Sequence, residues 1–264
     1  QRCHPALHAL YQLWSCNAFD PYYTNICQAA PAYRSFIHAQ IRCAQMASHA
    51  ELDDKIVHCL EDMISRYACL HESVLSQKLF SIESDFVEKN PNLVREYNDD
   101  ESFDPTTEIK LFTNDKAGKS GRARWYVANR DVIKTGVEYL DRWKVIVSSA
   151  NAGGQKRSNQ IAIVDNYSAF GRSRVALKTF ATKQEAKNFF KYATSEIIRF
   201  AFLLTDESLT SLAKKVPDLL DYSDNNDLID YSGNVNEQLY SLFGIDEKNQ
   251  QHIREVLVSK NNKD

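Results

Sequence analysis

The residues best suited to chemistry in this sequence are amides and cations gathered in one glycine-containing stretch, Trp143-Lys-Val-Ile-Val-Ser-Ser-Ala-Asn-Ala-Gly-Gly-Gln-Lys-Arg157. A β-branched run delivers the chain into small, polar and basic residues. Gly153 and Gly154 permit close backbone approach or a positive φ. Asn151 and Gln155 carry the amides that pair bidentately with an adenine edge, while Lys156 and Arg157 suit guanine or phosphate. With Ser148 they define a candidate recognition segment over 148–159. Arg122, Arg124, Arg172 and Arg174 fall near other strand ends and are candidate phosphate contacts. The alternative reading is a polar hairpin loop that binds nothing.

Other chemistries fail on spacing. Gly118-Lys119-Ser120 follows a strand pattern, but a phosphate loop needs a glycine five residues before its Gly-Lys pair, and Thr113 stands there. A metal-dependent nuclease needs an aspartate followed by Glu-x-Lys on a strand; Asp165 has no such follower. Asp20-Pro21-Tyr22-Tyr23 partly matches the Asp/Asn-Pro-Pro-Tyr/Phe loop with which amino-methyltransferases hold a flipped base. It lacks the second proline and any preceding apolar strand, so an ordinary turn is expected. No catalytic residue is therefore assigned.

All six cysteines (Cys3, Cys16, Cys27, Cys43, Cys59 and Cys69) lie in the first 69 residues, and six of the seven histidines in the first 71. His4 and His8 stand four apart, and Cys69 is close to His71, yet no CxxC pair or second matched pair completes a zinc site. Buried reduced thiols, disulfides and a metal site all stay open, the first being favoured.

Net charge is −3, which conceals an uneven distribution. Over 108–199, 18 Lys and Arg stand against 8 Asp and Glu, a balance of +10; the rest of the chain carries 14 against 27, a balance of −13. A basic centre between acidic flanks suits a polyanionic partner better than the overall charge suggests. No apolar run approaches the ~20 residues of a membrane span, so no membrane association is expected. The chain opens on Gln1 with no initiator Met, basic n-region or cleavage site. A cytoplasmic fragment of a longer protein is expected from this.

These groups must be positioned by an α+β fold. Residues 1–77 contain no glycine and read as a helical segment of uncertain origin, with a capping box at Ser48/Glu51 and an apolar stripe of Ile56, Leu60, Met63, Ile64 and Tyr67. Residues 78–107 read as a linker region, polar and acidic from Asn90 onward with Pro91 and Pro105. Residues 108–264 read as a small mixed β-sheet domain with C-terminal helices. Strands are expected at 109–113, 124–128, 144–148, 160–164 and 174–180, with a short helix over 132–143. A capping box at Thr182/Glu185 opens one long helix reaching Leu204. Residues 217–230 look irregular, and two terminal helices, 236–243 and 247–259, are separated by Gly244.

Several stretches occur together in a fixed order: Glu108-Ile-Lys-Leu-Phe112, Arg124-Trp-Tyr-Val127, Trp143-Lys-Val-Ile-Val-Ser-Ser149, Thr179-Phe-Ala-Thr-Lys-Gln-Glu-Ala-Lys-Asn188 with Ile198-Arg-Phe200, and Val216-Pro-Asp218 with Asn236-Glu-Gln-Leu-Tyr240 and Gly244-Ile-Asp246. Together they resemble the C-terminal target-recognition region of type II restriction–modification adenine-N6 DNA methyltransferases, including fused methylase–endonucleases. The resemblance spans about residues 78–264 and leaves 1–50 outside it. It implies a module that docks on double-stranded DNA and selects the site. A separate methyltransferase catalytic domain, N-terminal to this chain, would flip and methylate the adenine. S-adenosylmethionine would belong to that domain, and no cofactor is expected here. Rival readings are a protein-interaction module with a cysteine-rich helical head and, less favoured, a restriction endonuclease.

Overall fold

The computed structural model describes residues 31–98, 102–118, 120–148, 161–204 and 212–261, with side chains from Ser48 to Val258. Two compact units are present, Gln1–Ile56 and Val57–Asp264. The division falls inside helix α1 (Pro31–Arg66) and not near residue 77. In the first unit the described structure is this helix, with Lys55 and Glu51 paired at 3.1 Å one turn apart. Ser48 lies in mid-helix, so the expected capping box is not a helix start. A Ser-x-x-Glu pattern caps only where the preceding residues leave helical geometry, and here they do not.

The second unit carries the sheets. Helix α1 ends at Arg66, and the chain makes a 3₁₀ turn at Leu70–Ser73. It then forms α2 (Phe86–Lys89), β1 (Val94–Glu96), β2 (Glu108–Asn114) and β3 (Ala123–Asn129). Next come β4 (Trp143–Ser148), β5 (Ile161–Val164), β6 (Ser168–Phe170) and β7 (Arg174–Phe180). The helices α3 (Lys183–Ala193), α4 (Glu196–Leu203), α5 (Val235–Leu242) and α6 (Glu247–Asn261) complete an α+β fold.

The strands form two sheets where one was expected. The first has the order β1-β3-β2-β6, with β6 parallel to β2; the second is antiparallel, β5-β4-β7. β2 alternates by strand geometry, burying Ile109, Leu111 and Thr113 and leaving Lys110 and Phe112 half-buried. Ile109, Leu111, Tyr126, Ala128 and Phe170 of the first sheet share one core with Ile146, Val164 and Ala176 of the second. Every residue of β4 between Trp143 and Ser148 is buried, as in a strand covered on both sides. Helix α3 supplies the other cover, with Ala186, Phe189 and Tyr192 buried. Opposite Val145 and Ile146 the register slips from Lys178 to Ala176, so Leu177 is the extra residue of a β-bulge.

The first part of the segment read as a linker packs into this core. Phe80 and Ile82 are buried in it, and β1 hydrogen-bonds to β3 as an edge strand. The region read as a short helix holds instead two 3₁₀ turns, Arg130–Val132 and Val137–Tyr139. The single helix expected from Thr182 breaks at Thr194-Ser195 into α3 and α4. The Thr182/Glu185 capping box is present, with both reciprocal bonds. Gly244, at φ +66°, separates the terminal helices in the left-handed region that glycine adopts without a Cβ penalty.

Candidate nucleic-acid interface

The topology brings one end of each sheet together. β2 runs out at Asn114 and β3 returns from Ala123, so the turn between them stands at that end. β6 runs parallel to β2 and stops at Phe170, paired with Phe112. The chain crosses at once into β7, whose Arg174 pairs with Ser148 at the end of β4. β5 pairs its Ile161 with Val147, so both ends of the β4–β5 connection emerge there too. Three pairs of strand ends therefore lie at a common end: Asn114 with Ala123, Phe170 with Arg174, and Ser148 with Ile161.

The crossing depends on Gly171. Its N–H donates to the Phe112 carbonyl at 2.9 Å, and a Cβ at this position would fall 2.3 Å from Thr113 Oγ1. Arg172 follows, its N–H donating to the Ile82 carbonyl at 3.1 Å and its carbonyl accepting from Gln77 Nε2 at 2.7 Å. The corner is fixed by backbone bonds from two directions.

The sequence-derived residues meet different fates at this end. Arg122 is exposed, and its N–H donates to Asp115 Oδ1 at 2.8 Å across the β2–β3 turn. Arg124 is exposed and pairs with Glu96 at 3.1 Å and Asp115 at 3.9 Å. Arg172 is ion-paired with Glu83. Arg174 is only 8% exposed, and its guanidinium carbon lies 5.0 Å from the centre of the Phe112 ring. Burial pushes its pKa below the usual arginine value. That packing suits support of the corner better than reach to a phosphate. Ser148 is half-buried beside it. Asn151, Gly153, Gly154, Gln155, Lys156 and Arg157 lie outside the described residues, as do Lys119 and the Asp20-Pro21-Tyr22-Tyr23 stretch.

A pocket of about 620 Å³, missed in the sequence, lies on the first sheet and is lined by Glu96, Tyr97, Lys110, Arg124, Trp125 and Asp165. Lys110 Nζ sits 4.5 Å from the Tyr97 ring centre, 5.4 Å from that of Phe103 and 3.6 Å from the Asp165 carboxylate. Desolvation pulls its pKa down, but the Tyr97 hydroxyl and the Asp165 charge outweigh that and raise it. Trp125 packs on Phe112 with ring centres 4.9 Å apart. The Asp165 carboxylate accepts from the Tyr167 N–H at 3.0 Å and from the Ser168 hydroxyl. The available signal was the alternation of Lys110 and Phe112 along one face of β2, opposite Trp125 on β3.

Of the cysteines, Cys59 and Cys69 are free thiols whose pKa values burial raises. Cys69 Sγ approaches the Ala213 and Lys214 carbonyls at 3.6 and 3.5 Å, and His71 Nδ1 meets the Leu212 carbonyl at 2.7 Å. This pair anchors the 212–214 backbone.

No family model, curated protein or solved structure matches the chain. Among the described residues, no helix is long and apolar enough to cross a membrane.

Proposed function

We propose that this chain is the DNA sequence-recognition module of a restriction–modification adenine-N6 methyltransferase. In this reading it positions a separate catalytic domain on duplex DNA, and that domain holds S-adenosylmethionine. The observation that carries the reading is the convergence of three pairs of strand ends at one end of the paired sheets. The +10 segment contributes Arg122, Arg124 and Arg172 to that end, and both ends of the amide- and cation-rich 149–160 connection leave from it. Two sheets whose strand ends flank a polar, cation-rich stretch suit groove recognition, in which backbone contacts fix register and side chains read base edges.

The test is selection from a random duplex pool followed by affinity measurements over a salt series. Binding falls steeply with salt as phosphate contacts release counterions. Gln155→Ala and Arg157→Ala should each cost about 1–3 kcal/mol on the selected site and much less on random DNA. Unchanged affinity and site preference in both variants would remove the recognition assignment. Calorimetry with S-adenosylmethionine should give no micromolar binding to this chain.

A further inference from the structure

We infer that the pocket formed by Tyr97, Trp125, Lys110, Arg124, Glu96 and Asp165 is a binding site for a single unstacked nucleotide whose base carries an exocyclic amino group. Its size is within the ~300–1,000 Å³ of sites that hold small organic ligands. Its charges are balanced, two cations against two carboxylates. A bare phosphate meets two repelling carboxylates there, and a metal cation meets two repelling side-chain cations. The ligand class that satisfies the whole lining is planar, has amino donors at one end and an anion at the other. A nucleotide has this form. Trp125 and Tyr97 supply aromatic rings to the lining, and aromatic rings are surfaces on which every base stacks. Carboxylates accept from the amino groups of cytosine, adenine or guanine and find no such group on thymine.

The two ion pairs of the pocket differ in how readily they yield. Arg124 and Glu96 are 50% and 62% exposed, so water already competes for their pairing and a ligand separates them at little cost. Lys110 and Asp165 are more enclosed, at 20% and 28%, and both have further partners. Arg124 is thus the group that turns to the phosphate and Glu96 the one released to the amino group. Lys110 and Asp165 keep the floor in place. Arg124 also belongs to the converging end described above, so a strand tracked along that end passes the pocket. The inference rests on the DNA-reading proposal for the polymer that delivers the nucleotide, while the pocket chemistry is testable without it.

The experiment follows the indole N–H signals of ¹⁵N-tryptophan-labelled protein during titration with mononucleotides. The Trp125 signal is assigned by Trp125→Phe, and the Trp143 signal reports that each variant is folded. Low-millimolar dAMP, dCMP or dGMP shifts the Trp125 signal, and Glu96→Gln or Arg124→Gln weakens the response about tenfold, the scale of one lost stacking or charge contact. Thymidine monophosphate, deoxyadenosine and inorganic phosphate shift it far less. No shift with any amino-bearing nucleotide, or an equal shift with thymidine monophosphate or phosphate, overturns the inference. Duplex binding by the same preparations separates the two proposals. Salt-sensitive duplex binding with a silent Trp125 removes the pocket alone; a responsive Trp125 without duplex binding keeps the pocket and removes the DNA reading.

Discussion

The buried ammonium of Lys144 and the backbone carbonyl of Asp165 meet at 3.4 Å, beside two closer acceptors, the carbonyls of Arg142 at 2.7 Å and Leu140 at 3.0 Å. Lys144 is fully buried, and desolvation brings its pKa down to about 7. Asp165 therefore serves both sheets, holding Lys110 through its carboxylate and Lys144 through its main chain.

Lys144 makes stability depend on pH in alkaline solution. Above about pH 7 the folded protein has released this proton while the unfolded chain keeps it to about 10.5, so stability rises with pH across that window. The slope reaches about 1.4 kcal/mol per pH unit in the limit of full transfer. Urea unfolding at pH 7 and pH 9 should show this rise, and Lys144→Met should abolish it. At pH 9 that variant should also lose about 1–3 kcal/mol through the abandoned carbonyls. An identical pH slope in the variant would assign the effect elsewhere.

Asp218 is the acidic counterpart. Fully buried, it pairs with Lys178 and accepts from Ser73 Oγ at 2.9 Å, the Tyr222 hydroxyl at 2.9 Å and the Leu220 N–H at 3.0 Å. Desolvation alone would raise its pKa, but the Lys178 bond and charge override that and hold it below the usual value. Its contribution is complete above the unfolded carboxyl pKa and is lost as pH falls through the depressed folded value. Asp218→Asn should cost about 3–5 kcal/mol by leaving Lys178 without its counter-charge. The double variant Asp218→Leu/Lys178→Met should recover part of the loss in denaturant melts; a fully additive penalty would contradict the coupling.

Gly171→Ala tests the corner between the sheets. The added methyl meets Thr113 Oγ1 at 2.3 Å, which should destabilise by about 1–3 kcal/mol. Thr113→Ala removes that oxygen and should relieve most of the penalty in the double variant. Thermal melts of the four proteins decide it, and no rescue would place the strain elsewhere.

Arg122 and Arg174 should separate stability from binding. Arg122→Ala should leave the melting temperature unchanged while weakening all duplexes alike and lowering the salt slope by about one unit. Arg174→Ala removes a buried side chain packed on Phe112 and should lower the melting temperature measurably. The reverse pattern would exchange their roles.

The long strands were readable because β2, β3, β4 and β7 concentrate β-branched and aromatic residues between polar breaks. Short strands were not: β1 and β6 take three residues each, too few for a period to register. The break between α3 and α4 is equally silent locally. Asn236, far along the chain, accepts from the Glu196 N–H at 2.8 Å and so satisfies the start of the second helix. The four arginines could be named from their positions near strand ends. Which of them is buried depends on Phe112 and Glu83, supplied by other segments. The pocket was hidden for the same reason, since its lining is gathered from β1 and the residue after it, β2, β3 and the β5–β6 connection.

The parallel pairing of β6 with β2 also orders the folding of this unit. The β2–β3 hairpin closes over a short stretch, whereas Lys110 meets Ser168 only after the intervening chain, including the whole β4–β5 hairpin, has been gathered in. Closing that larger loop costs more entropy and slows the step that depends on it. Hairpin pairing is therefore expected first, with the joining of β6 to β2 as a later step that pulse-labelled hydrogen exchange would resolve. On that order, the strand ends that meet at one end of the native protein come together only with the pairing of β6 and β2.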